Sequence, residues 1–132
     1  MARASEPEVI HLDTHVVCWL YEGRSDLLSD AAKDAVERGR LVVSSIVDLE
    51  LQLLYEIGRI SKGPAVVLVA LRRDIGLEVA ASALPNVVDA ARGLAWTRDP
   101  FDRLIVAETM LAGAKLLTRD RLIRRHCAAA LW

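Results

Sequence analysis

The chain has 132 residues, a formal net charge of -1, and 53% apolar and 27% charged residues. This length suits one domain that buries roughly 70% of the surface its unfolded chain exposes, and the balance of apolar and charged residues excludes an intrinsically disordered chain. A charge near zero excludes whole-molecule electrostatic capture of nucleic acid, so any such contact needs a local basic patch.

Residues 1–8 read as a loose tail with no apolar leader, and 9–132 as a single domain; the expectation is a cytoplasmic protein. Val9-Ile-His-Leu12 is a short apolar run that predicts a first strand ending at Asp13. A helix is expected over 14–21, closed by Gly23, and a second begins after Ser29 as N-cap and runs to Arg38, with Gly39 as its stop. Leu41-Val-Val43 has the β-branched character of a buried strand. Positions 46, 47, 49, 53, 54 and 57 follow helical spacing and predict a helix over 46–57 whose apolar stripe faces the core.

Gly63-Pro64 opens a segment over 65–73 that periodicity leaves open between helix and strand. Helix is the choice, because Asp74-Ile-Gly76 ends it and 77–81 reads as the next strand. It contains the longest apolar run, 65–71, which is far short of a membrane span. Helices follow over 85–94 and 100–113, the latter with Asp99 as N-cap and Pro100 in its first position. Leu116-Leu-Thr118 reads as a strand, 121–126 as a short helix, and 128–132 as a last edge strand. Apolar strands alternating with helices predict an α/β fold with a mostly parallel sheet covered on both faces. Cys18 and Cys127, far apart and without metal-ligand spacing, read as small buried hydrophobes in a reduced compartment.

Among the 18 acids, position singles out four. Asp13 and Asp120 stand just past predicted strand ends, where open parallel sheets place their ligands. Glu50 has Ile46, Val47, Leu53 and Leu54 at helical neighbour positions, and Asp102 shares its face with Ile105 and Val106. A charge on an apolar stripe is costly unless it is paired or metal-bound. Asp13 and Asp120 also read as helix N-caps, and Asp102 as a favourable charge in a first helical turn. Asp30, Asp48 and Glu56 read as solvent-facing. All four selected acids can reach one end of one sheet, and converging carboxylates cannot all ionise without cations between them. Mg²⁺ or Mn²⁺ is the expected resolution, with phosphodiester hydrolysis as the chemistry. His11, His15 and His126 are read as packing or surface residues.

The same residues carry a resemblance. Leu12-Asp-Thr-His-Val-Val-Cys-Trp-Leu20, Ser45-Ile-Val-Asp-Leu-Glu-Leu51 with Gly58-Arg-Ile60, Asp99-Pro-Phe-Asp-Arg-Leu-Ile-Val-Ala107 and Leu117-Thr-Arg-Asp120 resemble, in order, the acidic segments of PIN-domain ribonucleases of the VapC toxin type. The resemblance spans about 9–132 and implies a three-layer α/β/α domain. It also implies a four-carboxylate site of Asp13, Glu50, Asp102 and Asp120, supported by Thr14 and Thr118. Asp99 is read as the helix cap and Asp102 as the ligand. Glu108 stands where the family commonly has Gln, at i+6 from Asp102, and is expected to point elsewhere.

The family implies an Mg²⁺- or Mn²⁺-dependent endoribonuclease toxin, an RNA substrate, a cognate antitoxin and a homodimer. Arg119, Arg121, Arg124 and Arg125 form a basic stretch beside Asp120 that suits phosphate contacts or a solvated helix face. A housekeeping PIN nuclease and a non-catalytic PIN binding module are the alternatives. A phosphoacceptor receiver is disfavoured because Thr14, not an acid, follows Asp13 and no Lys follows the late strand. A haloacid-dehalogenase-like phosphatase is disfavoured because position 15 is His.

Overall fold

The structure is a computed structural model describing residues 6–132. Residues 1–5 of the expected tail lie outside that range, and Glu8 already accepts a ladder hydrogen bond from the Arg40 amide (2.8 Å). The chain runs β1 (Val9–Leu12), α1 (Thr14–Tyr21), a 3-10 turn (Ser25–Leu27), α2 (Asp30–Arg38), β2 (Arg40–Val43), α3 (Ser45–Glu56), α4 (Pro64–Ile75), β3 (Glu78–Val79), α5 (Leu84–Ala91), α6 (Pro100–Leu111), β4 (Lys115–Leu117), α7 (Arg121–His126) and β5 (Ala130–Leu131).

Local chemistry sets most of these boundaries. Ser29, Ser44, Asp99 and Asp120 each accept a backbone amide at the start of a helix. Pro64 and Pro100 occupy first turns, where a missing N–H costs nothing. Gly76 closes α4 in the left-handed region at φ 70°, which a side chain would disfavour. Among the described residues, no helix is long and apolar enough to cross a membrane.

The five strands pair in parallel in the order β3-β2-β1-β4-β5. Successive strand residues point to opposite faces, and Ile10, His11 and Leu12 of β1 and Leu41, Val42 and Val43 of β2 are all buried. Both faces are therefore covered, giving the expected three-layer α/β/α arrangement. The chain leaves β1 for β2 on one side and later returns to β4 on the other, so the strand order reverses beside β1. Ligands of open α/β sheets sit at the carboxyl ends of the strands at such a reversal, here between Asp13 after β1 and Thr118 after β4.

Two sequence expectations need correction. The strand expected over 77–81 forms only at Glu78–Val79, because β3 is an edge with β2 as its only neighbour and pairs at Val42–Glu78 and Val43–Val79. The stripe expected on α3 is also misplaced. Val47 and Leu51 are the fully buried pair, while Leu49, Leu53 and Ile57 are 51%, 39% and 67% exposed. Glu50 thus lies at the border of the buried face, not at its centre.

Gly39 joins α2 to β2 at a close approach. A Cβ there would lie 2.5 Å from Ile10 Cγ1 and 2.7 Å from the Ala35 carbonyl oxygen. Gly39→Ala is expected to cost about 1–3 kcal/mol by overpacking, read as a lower denaturation midpoint at unchanged slope.

Candidate active site

Asp13 is the pivot of the site. It leaves β1 with its backbone amide donating to the Leu117 carbonyl of β4 (3.0 Å). Its Oδ1 accepts the Thr14 amide at 2.8 Å, and its Oδ2 accepts the Thr118 hydroxyl at 2.6 Å. Both the cap reading and the site reading of Asp13 are therefore realised in one side chain, which is only 7% exposed. Burial pushes its carboxyl above the ordinary carboxylate range, with the hydroxyl, the amide and the nearby His15 opposing and the Asp120 charge adding to the rise.

Two threonines tie the acids together. Thr14 is buried, and its hydroxyl donates to Glu50 Oε1 on α3. Thr118 donates to Asp13 and accepts the Asp120 amide at 3.1 Å. Asp120 in turn caps α7 by accepting the Ile123 amide at 2.9 Å. The ends of β1 and β4 and the starts of α1 and α7 are thus held to one another through side-chain oxygens. Half-buried Glu50 is also raised, by burial first, with the Thr14 bond opposing, Asp13 and Asp99 adding to the rise and His15 opposing.

Asp102 completes the group from the first turn of α6. Its carboxyl is pushed up to about 7, by burial first and then by the charges of Asp99, Asp13, Asp120 and Glu50 in that order. The charge of each of the other three selected acids therefore acts on Asp102. Asp99 caps α6 as expected, with its Oδ1 accepting the Phe101 and Asp102 amides at 2.8 and 3.3 Å. Its charge also reaches Asp102 and Glu50, so it is a fifth acid at the rim as well as a cap. Its position three residues before Asp102 was the signal for this.

His15 was read as a surface residue; it is exposed, yet its charge acts on both Asp13 and Glu50. The clue was its place one residue beyond Asp13-Thr14. His11 and Glu108 are both buried away from solvent. Burial lowers the His11 pKa and the charge of buried Glu108 opposes that shift. Arg119, Arg121, Arg124 and Arg125 are all exposed.

The donors are carboxylate and hydroxyl oxygens, the hard ligands that suit a divalent cation such as Mg²⁺ or Mn²⁺. Among the described residues no Lys or Arg forms an ion pair with Asp13, Glu50, Asp102 or Asp120; the ion pairs present lie elsewhere on the surface. No three His, Cys, Asp or Glu side chains among them are drawn into metal-ligand geometry. Carboxylates brought near one another with no counter-charge between them repel.

The PIN domain family matches residues 10–129. The chain is 34% identical over 119 residues to Ribonuclease VapC22 of Mycobacterium tuberculosis, covering 87% of this chain and 89% of that protein. Solved structures of similar fold include a toxin-antitoxin complex from Klebsiella pneumoniae, at TM-score 0.69 and 17% identity over 93% of this chain and 96% of that one. VapBC2 from Rickettsia felis, bound to a DNA fragment from its promoter, gives 0.62 and 18% over the same shares. With a matched family region running from β1 to the start of β5 and all four acids inside it, the chain belongs to the PIN-domain family.

Proposed function

We propose that this protein is a divalent-metal-dependent endoribonuclease and the toxin of a toxin–antitoxin pair, cleaving RNA at Asp13, Glu50, Asp102 and Asp120. The observation that carries the reading is the convergence on Asp102, whose carboxyl is held up to about 7 by burial first and then by the charges of Asp99, Asp13, Asp120 and Glu50. A resemblance to a protein named a ribonuclease, over most of both chains, supports the same reading.

Mg²⁺ or Mn²⁺, when bound, would activate a water and stabilise the charge that develops on the scissile phosphate. Asp13 and Asp102 are the direct ligands in this account, with Glu50 and Asp120 completing the charge. Thr118 donates to Oδ2 and so favours the ionised form of Asp13 against the rise that burial causes, and Thr14 orients Asp13 and Glu50 together. The protein would act in the cytoplasm, where RNA is its substrate. An antitoxin partner is supported by fold neighbours solved as toxin–antitoxin complexes. A homodimer is supported by the apolar residues Leu49, Leu53, Tyr55 and Ile57 that α3 leaves exposed, since unburied apolar surface of this kind marks protein contacts.

Expression in bacteria tests toxicity. Growth arrest that is relieved by Asp13→Ala is expected; arrest by both forms alike would separate toxicity from the acids. A second check uses pH. Without metal, Asp102 keeps its proton to about pH 7 in the fold but only to about 3.8 when unfolded. The folded state binds more protons across that window, so stability falls as pH rises through it. Asp13 and Glu50 act in the same direction, against the opposing contribution of His11, whose lowered pKa favours the fold as pH rises. The metal-free melting temperature is therefore expected to be higher at pH 5 than at pH 8, and Mn²⁺ at pH 8 is expected to restore the difference. A metal-free melting temperature that rises toward pH 8 would contradict the charge balance described.

A further inference from the structure

A groove of different chemistry runs along α7. Arg121, Arg124 and Arg125 of α7 line an open cleft of about 460 Å³ together with Ala130, Leu131 and Trp132. Positions i, i+3 and i+4 stand on one helix face, so the three guanidiniums present a single basic surface. Among the described residues none of them is ion-paired. On a chain of net charge -1, this is a marked local excess of positive charge.

The groove connects to the acidic pocket in two ways. Asp120, which caps α7, is the residue before Arg121. A row of rings also runs between them. Trp132 meets Trp19 edge-on at 5.9 Å, and Trp19 lies 6.2 Å from His15, whose charge acts on Asp13 and Glu50. The ring at the edge of the groove is thus linked through Trp19 to His15, two residues beyond Asp13.

We propose that this groove is a track for an unpaired stretch of the RNA substrate, with phosphates on Arg121, Arg124 and Arg125 and one base against the Trp132 indole. The inference rests on the ribonuclease reading above and deepens it by naming the residues that hold the strand. Guanidinium forks match phosphate oxygens, and an indole offers a sequence-tolerant face to any base. A duplex keeps its bases stacked inside and satisfies only the phosphate half of the groove. An acidic protein segment would likewise use the charges and leave the ring unmatched.

The test measures binding of a labelled, mixed-sequence single-stranded oligoribonucleotide and of its duplex, in an Asp102→Asn background with Mn²⁺ so that nothing is cut. Trp132→Ala is expected to weaken single-strand binding about tenfold and leave duplex binding unchanged. Trp132→Phe, which keeps a ring against Trp19, is expected to retain most of the affinity and guards against a folding artefact. Arg124→Gln is expected to lower the slope of log K against log salt by about 0.7, one single-strand phosphate contact.

Unchanged single-strand affinity in Trp132→Ala and Arg124→Gln, or equal losses for single strand and duplex, overturns the track. So does poly-glutamate that binds as tightly as the RNA with the same sensitivity to Trp132→Ala, which would assign the groove to a protein. Failure of the ribonuclease reading is seen separately, as a wild-type protein that cuts no RNA with Mn²⁺.

Discussion

Asp102→Asn is expected to give a protein that cuts no RNA and that, without metal, melts at a higher temperature than the wild type. The carboxyl is held up to about 7 by burial and by Asp99, Asp13, Asp120 and Glu50. Once ionised it is therefore a source of repulsion among the neighbouring acids. A neutral amide of nearly the same shape removes that repulsion. Because the side chain is only half-buried, solvent screening reduces the gain to on the order of 1–2 kcal/mol, a few degrees for a domain of this size. The same change removes a negative oxygen ligand, and activity should fall by roughly a thousandfold or more. Opposite changes in stability and activity are the signature of a functional residue kept at a cost. Thermal melting in EDTA and an RNA-cleavage assay on the same preparations read both. A variant that is both less stable and inactive would make Asp102 a structural residue.

Thr118→Val is expected to be the most damaging of the conservative changes. The hydroxyl lies 2.6 Å from Asp13 Oδ2, both residues are buried, and the same oxygen accepts the Asp120 amide. Valine keeps the shape and removes the donor. A lost hydrogen bond to a buried charged group costs about 1.5–3 kcal/mol, and part of that cost appears as a further rise in the Asp13 pKa. The expected outcome is a lower melting temperature together with weaker Mn²⁺ binding at pH 7. Thr118→Ser, which keeps the hydroxyl, should recover both. Wild-type metal affinity in Thr118→Val would show that the bond does not prepare Asp13.

Much of this was legible in the sequence because it depends on local chemistry. The caps at Ser29, Asp99 and Asp120, the proline at 100 and the acid after the first strand are fixed by their own neighbours, and they placed α2, α6, α7 and Asp13 closely. What depends on tertiary packing was harder to read. The apolar run on α3 does not reveal whether a residue packs on its own core or is left for another surface, and Leu49, Leu53 and Ile57 are left exposed. Glu50 was selected partly for lying among them, yet it reaches the site from the border of the buried face, through Thr14. The edge strand β3 shrank because only one neighbour supports it. His15 and Asp99 had only their places beside Asp13 and Asp102 to mark them, and their charge on the acids followed once the chain ends of β1, α3 and α6 were brought together. The basic stretch at 121–125 was legible as charge, but the Trp132 wall beside it was not.

The central claim is that these carboxylates form a metal-dependent centre that cleaves RNA. Its most direct test is RNA cleavage by metal-stripped protein as Mn²⁺ is titrated in, with wild type beside Asp102→Asn. No cleavage is expected without metal, saturable cleavage by the wild type as Mn²⁺ rises, and none by the variant at any concentration. Cleavage that persists in EDTA, or equal cleavage by the two proteins, would contradict it.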